Sequence, residues 1–186
     1  MLGDGLTPAN VFEDGVGHFW GIMGTRPYMR ARFELVDAML HHFGSAGGRV
    51  DVVQAALDHL LDTLRLCRSD NMGVRDMIPA LYIRLRREQA AYDFMKWYAT
   101  TGQDPRYNWG DMDLPFLDIK DGDVFESPAG MWTDEWLELS HSSAVVLVKV
   151  RVLLDLQAVQ NALCALGGNV PQEVIRRRLV GTIVES

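Results

Sequence analysis

The segment from Leu64 to Tyr98 constrains the fold more than any other part of the chain. Its sequence, LRLCRSDNMGVRDMIPALYIRLRREQAAYDFMKWY, contains the end of one helix, a short turn and then two further helical stretches. Ser69 or Asp70 stands where a side-chain oxygen can accept a hydrogen bond from the free N–H groups of the next helix. Successive helices joined by short turns pack against each other, so the segment predicts a helical hairpin.

Helical periodicity extends upstream of this segment as well. It predicts a first helix from Thr25 to Phe43 and a second from Val50 to Leu66. The third helix is predicted from Asp70 to about Arg86, with a kink or local break at Pro79, because proline lacks the N–H that a helix interior needs. The fourth helix is predicted over residues 88–99, so two hairpins follow each other.

The rest of the chain divides into three parts. Residues 1–24 are rich in glycine and predict a loosely ordered lead-in. Residues 100–132 contain many Gly and Pro but also many large apolar side chains, which a disordered linker does not carry. We therefore expect this loop to be ordered and packed on the helices. Residues 133–178 predict two closing helices, a long one from Thr133 and a short one from Pro171.

The fold class predicted from these patterns is all-α. The 186 residues suffice for one substantial domain, which we place at residues 25–186. The net charge of -7 argues against a general affinity for nucleic acid or anionic lipid, because phosphate groups would repel it. We interpret the basic cluster from Arg176 to Arg178 as a solvated helix face. No nucleic-acid or membrane partner is therefore expected.

The longest apolar run, from Ala144 to Val159, is interrupted by charged residues that a lipid core would not accommodate. The N-terminus has no basic segment followed by an apolar one, so a secretory signal is not expected. Together these patterns predict a cytoplasmic location, with the nucleus as the open alternative.

The two predicted hairpins, residues 25–99, share a register. A small residue stands early in each second helix, Ala56 and Ala90, and an apolar residue follows one turn later, Leu60 and Phe94. From Ala56 to Ala90 is one period of 34 residues. This pattern resembles the tetratricopeptide (TPR) helical repeat, whose unit has that length. Other phrases, TRPYMRAR, LCRSDNMGVRD and YNWGDMDLPFLDIKDGDVFE, resemble a group of uncharacterised fungal proteins.

The TPR resemblance implies a protein–protein interaction or scaffold domain, with a protein or peptide partner and no catalysis. The groove of such an array is lined by exposed residues of the first helices. By register these are Asn71, Arg75 and Tyr82, with Arg30 as a companion from the first helix. An Arg and an Asn on neighbouring turns can hold a peptide carboxylate. A structural ion pair of Arg75 is the alternative. Trp109 is a candidate anchor for a partner, because Trp is enriched at binding hot spots.

A metal-dependent enzyme is the alternative from a different class. Glu138 and His141 form one Glu-x-x-His pair on a predicted helix, as in di-iron bundles. Such a centre needs a second pair and further carboxylates, which the sequence does not supply at matching spacing. Cys67 and Cys164 follow no metal-ligand spacing and are predicted to be buried, reduced thiols. We therefore expect no metal and no cofactor.

The chain ends in an apolar segment, Leu179 to Val184, that has no predicted partner element. Two interpretations follow from it. The segment can mediate oligomerisation, or the chain can be a structural fragment of a larger protein.

Overall fold

The computed structural model of the chain describes residues 7–45, 47–128, 130–132 and 139–165. Within these residues the fold contains helices and short 3₁₀ turns and no strand, which confirms the predicted all-α class. No helix in this part of the chain combines the length and the apolar composition that crossing a bilayer requires. The α-helices are α1 (Val11–Asp14), α2 (Arg26–Phe43), α3 (Val50–Leu66), α4 (Ile78–Arg84), α5 (Glu88–Ala99) and α6 (Leu139–Ala165).

The helices α2, α3 and α5 coincide with the first, second and fourth predicted helices. The third differs from its prediction. A 3₁₀ turn, Val74–Asp76, precedes α4, and Pro79 is the second residue of that helix rather than part of its interior. Proline is tolerated in a first turn, where its missing N–H would have no partner anyway. The helical path is therefore broken just before Pro79, which is one of the two outcomes predicted there.

Asp70 produces this break. Its carboxylate accepts hydrogen bonds from the N–H groups of Val74 and Arg75 at 2.9 and 3.0 Å, which caps the 3₁₀ turn. Burial outweighs these bonds and raises the pKa of the Asp70 carboxyl. Gly73 has a φ of 69°, a conformation that favours glycine, so the backbone turns here before α4 begins.

The chain divides into two compact units, which are described separately. The first comprises Met1–Leu81 and Pro105–Phe116, and the second comprises Tyr82–Asp104 and Leu117–Ser186.

The first unit is built on the pair α2 and α3. Arg32, early in α2, forms an ion pair with Asp62, late in α3, as antiparallel helices require. Phe19 from the lead-in is buried beside Met29 of α2. The lead-in is therefore fixed to the helices by its aromatic side chain. The buried apolar residues that α3 contributes are Val53, Ala56, Leu57, Leu60, Leu64 and Leu66.

The second unit is built on α5 and α6. The loop that follows α5 is bound to this helix by polar side chains. Asp93 accepts hydrogen bonds from the backbone N–H groups of Asp121 and Gly122, at 3.0 and 2.8 Å. The indole N–H of Trp97 donates to the carboxylate of Asp118 at 3.1 Å. The loop and α5 are thus joined by hydrogen bonds in both directions, with one acceptor carboxylate on the helix and one on the loop.

The two cysteines differ in exposure. Cys67, directly after α3, is buried, but Cys164, near the end of α6, is exposed. The prediction of a buried thiol at Cys164 was therefore wrong. The prediction failed because apolar residues of α6 occupy the solvent side of the helix as well as the buried side.

The carboxyl group of Glu126 is expected to make the stability of the second unit depend on pH. It accepts hydrogen bonds from the Tyr92 phenol and from Lys96 Nζ, the latter at 2.8 Å. Burial alone would raise the pKa of Glu126, but these bonds outweigh burial and lower it. Burial and the Glu126 carboxylate in turn raise the pKa of Tyr92, so the phenol remains a donor at neutral pH.

A carboxyl whose pKa is lowered by folding stabilises the fold above its unfolded pKa of about 4.3, and this stabilisation is lost as the pH falls through the lower folded pKa. We expect Glu126→Gln to reduce the free energy of unfolding at pH 7 and to weaken its dependence on pH below about 4.5. Urea unfolding at pH 7, 5, 4 and 3 measures both quantities. Glu34→Gln, at an exposed position of α2, is the matched control. Equal acid sensitivity of wild type and Glu126→Gln would contradict the prediction.

Candidate functional site

A cleft of about 330 Å³ opens on the first unit. Two indole side chains, Trp20 and Trp109, line it together with polar and small residues. We call it the Trp cleft. Its lining residues are Gly17, His18, Trp20, Gly21, Arg26, Cys67, Ser69, Asn71, Trp109 and Gly110.

The lead-in reaches the cleft through backbone pairing. His18 and Cys67 form an isolated antiparallel bridge, and the N–H of Arg68 donates to the carbonyl of Gly17 at 3.2 Å. Gly17 has a φ of 84°, and a Cβ at this position would lie 2.0 Å from Sδ of Met112. The positive φ favours glycine, and any larger residue would also have to displace the end of the Met112 side chain.

Two arginines of α2 lie on the Trp20 wall. The Cζ atoms of Arg26 and Arg30 are 5.1 and 5.7 Å from the centroid of the Trp20 ring. Arg26 also donates through Nε to the backbone carbonyl of Trp20 at 2.9 Å. A guanidinium over an indole face is attracted by the ring quadrupole. This wall therefore combines an apolar surface with two positive charges.

The Trp109 wall belongs to the loop of the first unit, and Arg68 holds that loop in place. The Arg68 guanidinium donates to three backbone carbonyls and lies over the ring of Phe116, 5.0 Å from its centroid. The acceptors are the carbonyls of Asp111, Met112 and Leu114, at 3.2, 3.1 and 3.0 Å. Trp109 itself packs edge-on against Tyr107, with ring centroids 4.9 Å apart.

The part of the cleft lining that follows α3 is polar. Ser69 Oγ and Asn71 Oδ1 are 2.8 Å apart, and the Cys67 thiol lies 3.4 Å from the same amide oxygen. These contacts engage the oxygen of Asn71, so its amide NH₂ is available as a donor.

The charge of the cleft is opposite to that of the chain. Its ten described lining residues include Arg26 and no Asp or Glu, whereas the whole chain has a net charge of -7. Arg30, exposed beside Trp20, adds a second positive charge. An anionic group next to an apolar one is therefore the ligand chemistry that the cleft favours.

Three of the five predicted partner-binding residues lie at this site. Asn71 and Trp109 both line the cleft, and Arg30 stacks on its Trp20 wall. Arg75 is half-buried near the carboxylate of Asp70, which accepts its backbone N–H.

The fifth predicted residue, Tyr82, belongs to the second unit, where its ring lies 6.2 Å from that of Phe94. Trp20 and Arg26 are site residues that the sequence reasoning did not identify. The spacing of Arg26 and Arg30, four residues apart on one helix face and shortly after a Trp, was the available signal.

The structure describes only one of the two residues predicted for the alternative metal site, namely His141. His141 is buried in the second unit between aromatic rings, 6.0 Å from the centroid of Phe94 and 5.7 Å from that of Tyr98. Its predicted companion Glu138 lies outside the described residues. Among the described residues, no three His, Cys, Asp or Glu side chains are placed to hold a metal ion.

Comparison of the chain with protein-family models, with curated proteins and with solved structures finds no match. The resemblance to TPR repeats and to fungal proteins therefore stays a prediction. The feature of the described structure that bears most directly on the function of the chain is the Trp cleft.

Proposed function

We propose that the chain is a protein–protein interaction domain that binds a short peptide segment of its partner in the Trp cleft. One observation carries this proposal. Two arginines and two tryptophans meet at a cleft whose described lining residues include no carboxylate, on a chain that is acidic overall. Trp and Arg are the residue types most enriched at binding hot spots.

The geometry favours a particular kind of peptide. An apolar or aromatic side chain fits between Trp20 and Trp109, while a carboxylate reaches the guanidinium groups of Arg26 and Arg30. Arg binds carboxylates through paired hydrogen bonds, which fixes their orientation as well as their charge. A cleft of about 330 Å³ is at the small end of ligand sites, so it suits one large side chain and its neighbour.

The TPR-like interpretation is part of the same proposal. Three of the four positions that define the 34-residue register support it, since Ala56 and Leu60 are buried on α3 and Phe94 is buried on α5, whereas Ala90 is half-buried. A cytoplasmic or nuclear location, a role without catalysis and a site without cofactor belong to this proposal as well.

A peptide library with free C-terminal carboxylates tests the proposal. We expect the full chain to select peptides with an apolar residue close to a carboxylate. Trp109→Ala should weaken binding of the selected peptides about 30-fold, since truncation of a hot-spot Trp costs about 2 kcal/mol or more. Arg26→Gln combined with Arg30→Gln should abolish the selection for the carboxylate and leave apolar selection in place.

Phe43→Ala, which removes another exposed aromatic side chain from the same unit, is the matched control and should bind as wild type does. Thermal unfolding of each variant shows whether the fold is kept. The proposal fails if the wild type selects no sequence, or if Trp109→Ala folds normally and binds the selected peptides equally well.

A further inference from the structure

The imidazole of His18 lines the Trp cleft, but the peptide contacts proposed above leave it without a role. The residue is exposed. Its side chain forms no hydrogen bond or ion pair with any residue that the structure describes. The imidazole can therefore contact a ligand without giving up a bond inside this part of the chain.

The backbone of His18 is held in place although its side chain is not engaged. Its N–H donates to the carbonyl of Gly15 at 3.0 Å, and its carbonyl accepts from the N–H of Gly21 at 2.8 Å. The residue also forms the isolated bridge to Cys67, and Phe19, which follows it, is fully buried. These contacts fix the point from which the imidazole extends, so ordering the ring on a ligand costs little conformational entropy.

The imidazole lies close to the loop wall of the cleft. Its Cε1 atom is 3.8 Å from the position that a Cβ would take on Gly110, the residue after Trp109. Because glycine has no side chain, the space beside the ring stays open on this side. Arg26 lines the same cleft from α2. A ligand in this volume of about 330 Å³ can therefore meet the imidazole and the Arg26 guanidinium together.

Two other titratable side chains belong to the described lining of the cleft, Arg26 from α2 and Cys67 from the end of α3. The Cys67 thiol donates to the amide oxygen of Asn71 at 3.4 Å. Arg26 is itself positive, and Cys67 is bonded to a neutral amide. Neither residue supplies the negative charge that would stabilise a protonated imidazole.

The charged residues that adjoin the cleft are directed elsewhere. Arg68 donates to three loop carbonyls, and the Asp111 carboxylate accepts the N–H of Asp113 at 3.0 Å. The acidic residues 13 and 14, in α1, are exposed and do not belong to the described lining. The negative charge that favours a protonated imidazole in the cleft therefore has to come from the ligand.

We infer that His18 is a further recognition residue of the Trp cleft and binds the peptide carboxylate in its protonated form. This role depends on the proposed function, since the carboxylate is the one assigned to Arg26 and Arg30. Histidine is the side chain whose charge ordinarily changes between pH 5 and 8. A bound carboxylate favours the charged imidazole, and by linkage the charged imidazole favours the bound carboxylate. Peptide binding therefore takes up a proton, and the affinity rises as the pH falls.

The expected change in affinity is about 10-fold between pH 8 and pH 5.5, because a hydrogen bond between two charged groups is about twice as strong as a neutral one. The peptide carboxylate does not titrate in this interval, since carboxyl groups of peptides have pKa values of about 3.3 to 4.3. The acid sensitivity expected from Glu126 also lies at lower pH, because folding lowers the pKa of that carboxyl. The interval therefore isolates the imidazole.

The test uses the peptide that a library with free C-terminal carboxylates enriches most strongly on the full chain at pH 5.5. Isothermal titration calorimetry at pH 5.5, 6.5 and 8 measures its dissociation constant. At pH 6.5 the titration is repeated in buffers of different ionisation enthalpy, which counts the protons taken up on binding. We expect the wild type to bind about 10-fold more tightly at pH 5.5 than at pH 8 and to take up part of one proton at pH 6.5.

Four variants assign the effect to one side chain. His18→Gln should bind at every pH as weakly as the wild type binds at pH 8, and it should take up no proton. His18→Arg carries a permanent charge and should bind equally at all three pH values. Cys67→Ser replaces the other lining residue that can lose a proton, and it should keep the pH dependence. His41→Gln, at an exposed position near the end of α2, is the matched control and should behave as the wild type does.

The outcomes separate the two proposals. A library that enriches no peptide rejects the proposed function and, with it, the role of His18. An enriched peptide whose affinity is the same at pH 5.5 and pH 8 rejects the role of His18 alone. The same holds for proton uptake that persists in His18→Gln or in His18→Arg, whichever of them circular dichroism shows to be folded. A pH dependence that Cys67→Ser abolishes and His18→Gln retains would assign it to the thiol.

Discussion

Arg68→Ala should lower the free energy of unfolding by about 2–4 kcal/mol, because it removes three charge-assisted hydrogen bonds and a cation–π contact at once. The guanidinium of Arg68 donates to three backbone carbonyls between Asp111 and Leu114 and lies over Phe116. These carbonyls lose their donor in the variant. The loop of the first unit then loses the side chain that binds its backbone from the end of α3.

Urea unfolding of Arg68→Ala measures this loss. Arg65→Ala is the matched control, since Arg65 is 54% exposed and its ion pair with Asp62 lies on the surface. Exposed pairs contribute about 0–1 kcal/mol, so the control should remain close to wild type. Arg68→Lys should be intermediate, because an ammonium cannot reproduce the planar fork of donors.

The same substitution links stability to the proposed binding. Trp109 lies on the loop that Arg68 orders, so Arg68→Ala should weaken the binding of selected peptides even where the chain remains folded. Peptide binding at 10 °C, where most of the variant is folded, measures this. If Arg68→Ala unfolds like Arg65→Ala, the guanidinium does not order the loop, and its three hydrogen bonds are of no consequence.

The sequence predicted the helices whose signal is local. α2 and α3 each bury one side, and apolar residues repeat at helical spacing along them. α5 has apolar residues at the same spacing, although the structure buries most of its residues. The third helix was predicted to start too early, because its true start depends on one carboxylate and one glycine. Asp70 caps a 3₁₀ turn and Gly73 adopts a positive φ, and neither effect is visible as a periodic pattern.

The site was less accessible to sequence reasoning than the helices. Asn71 and Trp109 are far apart in the chain, and they meet because Arg68 binds backbone carbonyls, which leave no trace in the residue types. Trp20 lies in a lead-in without periodicity, so its role depends on the isolated bridge between His18 and Cys67. Contacts of this kind follow from the fold and cannot be derived from the spacing of residue types along the sequence.

The sequence of α6 is compatible with both a strand and a helix, and helix is the interpretation that its length favours. The run VVLVKVRVLL alternates apolar and charged residues, as a strand does, but also places Val145 and Val148 on one helical face. The structure buries both of these residues. The hydrogen bond from Arg151 of α6 to Glu88 of α5 decides which other apolar residues of α6 face solvent.

Arg151→Met should lower the free energy of unfolding by about 3–5 kcal/mol, because it leaves a buried carboxylate without its partner. The side chain of Glu88 is 3% exposed, and its Oε1 accepts from Arg151 at 2.8 Å. Its other oxygen, Oε2, has no hydrogen-bond partner among the described residues. Arg151 also donates to the carbonyl of Ile83, so the variant leaves a second acceptor without that donor.

A double-mutant cycle separates the charge from the packing. Glu88→Leu combined with Arg151→Met replaces the pair by apolar residues, and it should recover most of the stability that Arg151→Met loses. Lys120→Met, at an exposed loop position of the same unit, is the control and should change the free energy of unfolding by less than about 0.5 kcal/mol. The single variant Glu88→Leu completes the cycle, and urea unfolding at pH 7 measures all four variants. If Arg151→Met resembles Lys120→Met, the ion pair does not hold α6, and the exposure of the apolar residues of this helix has another cause.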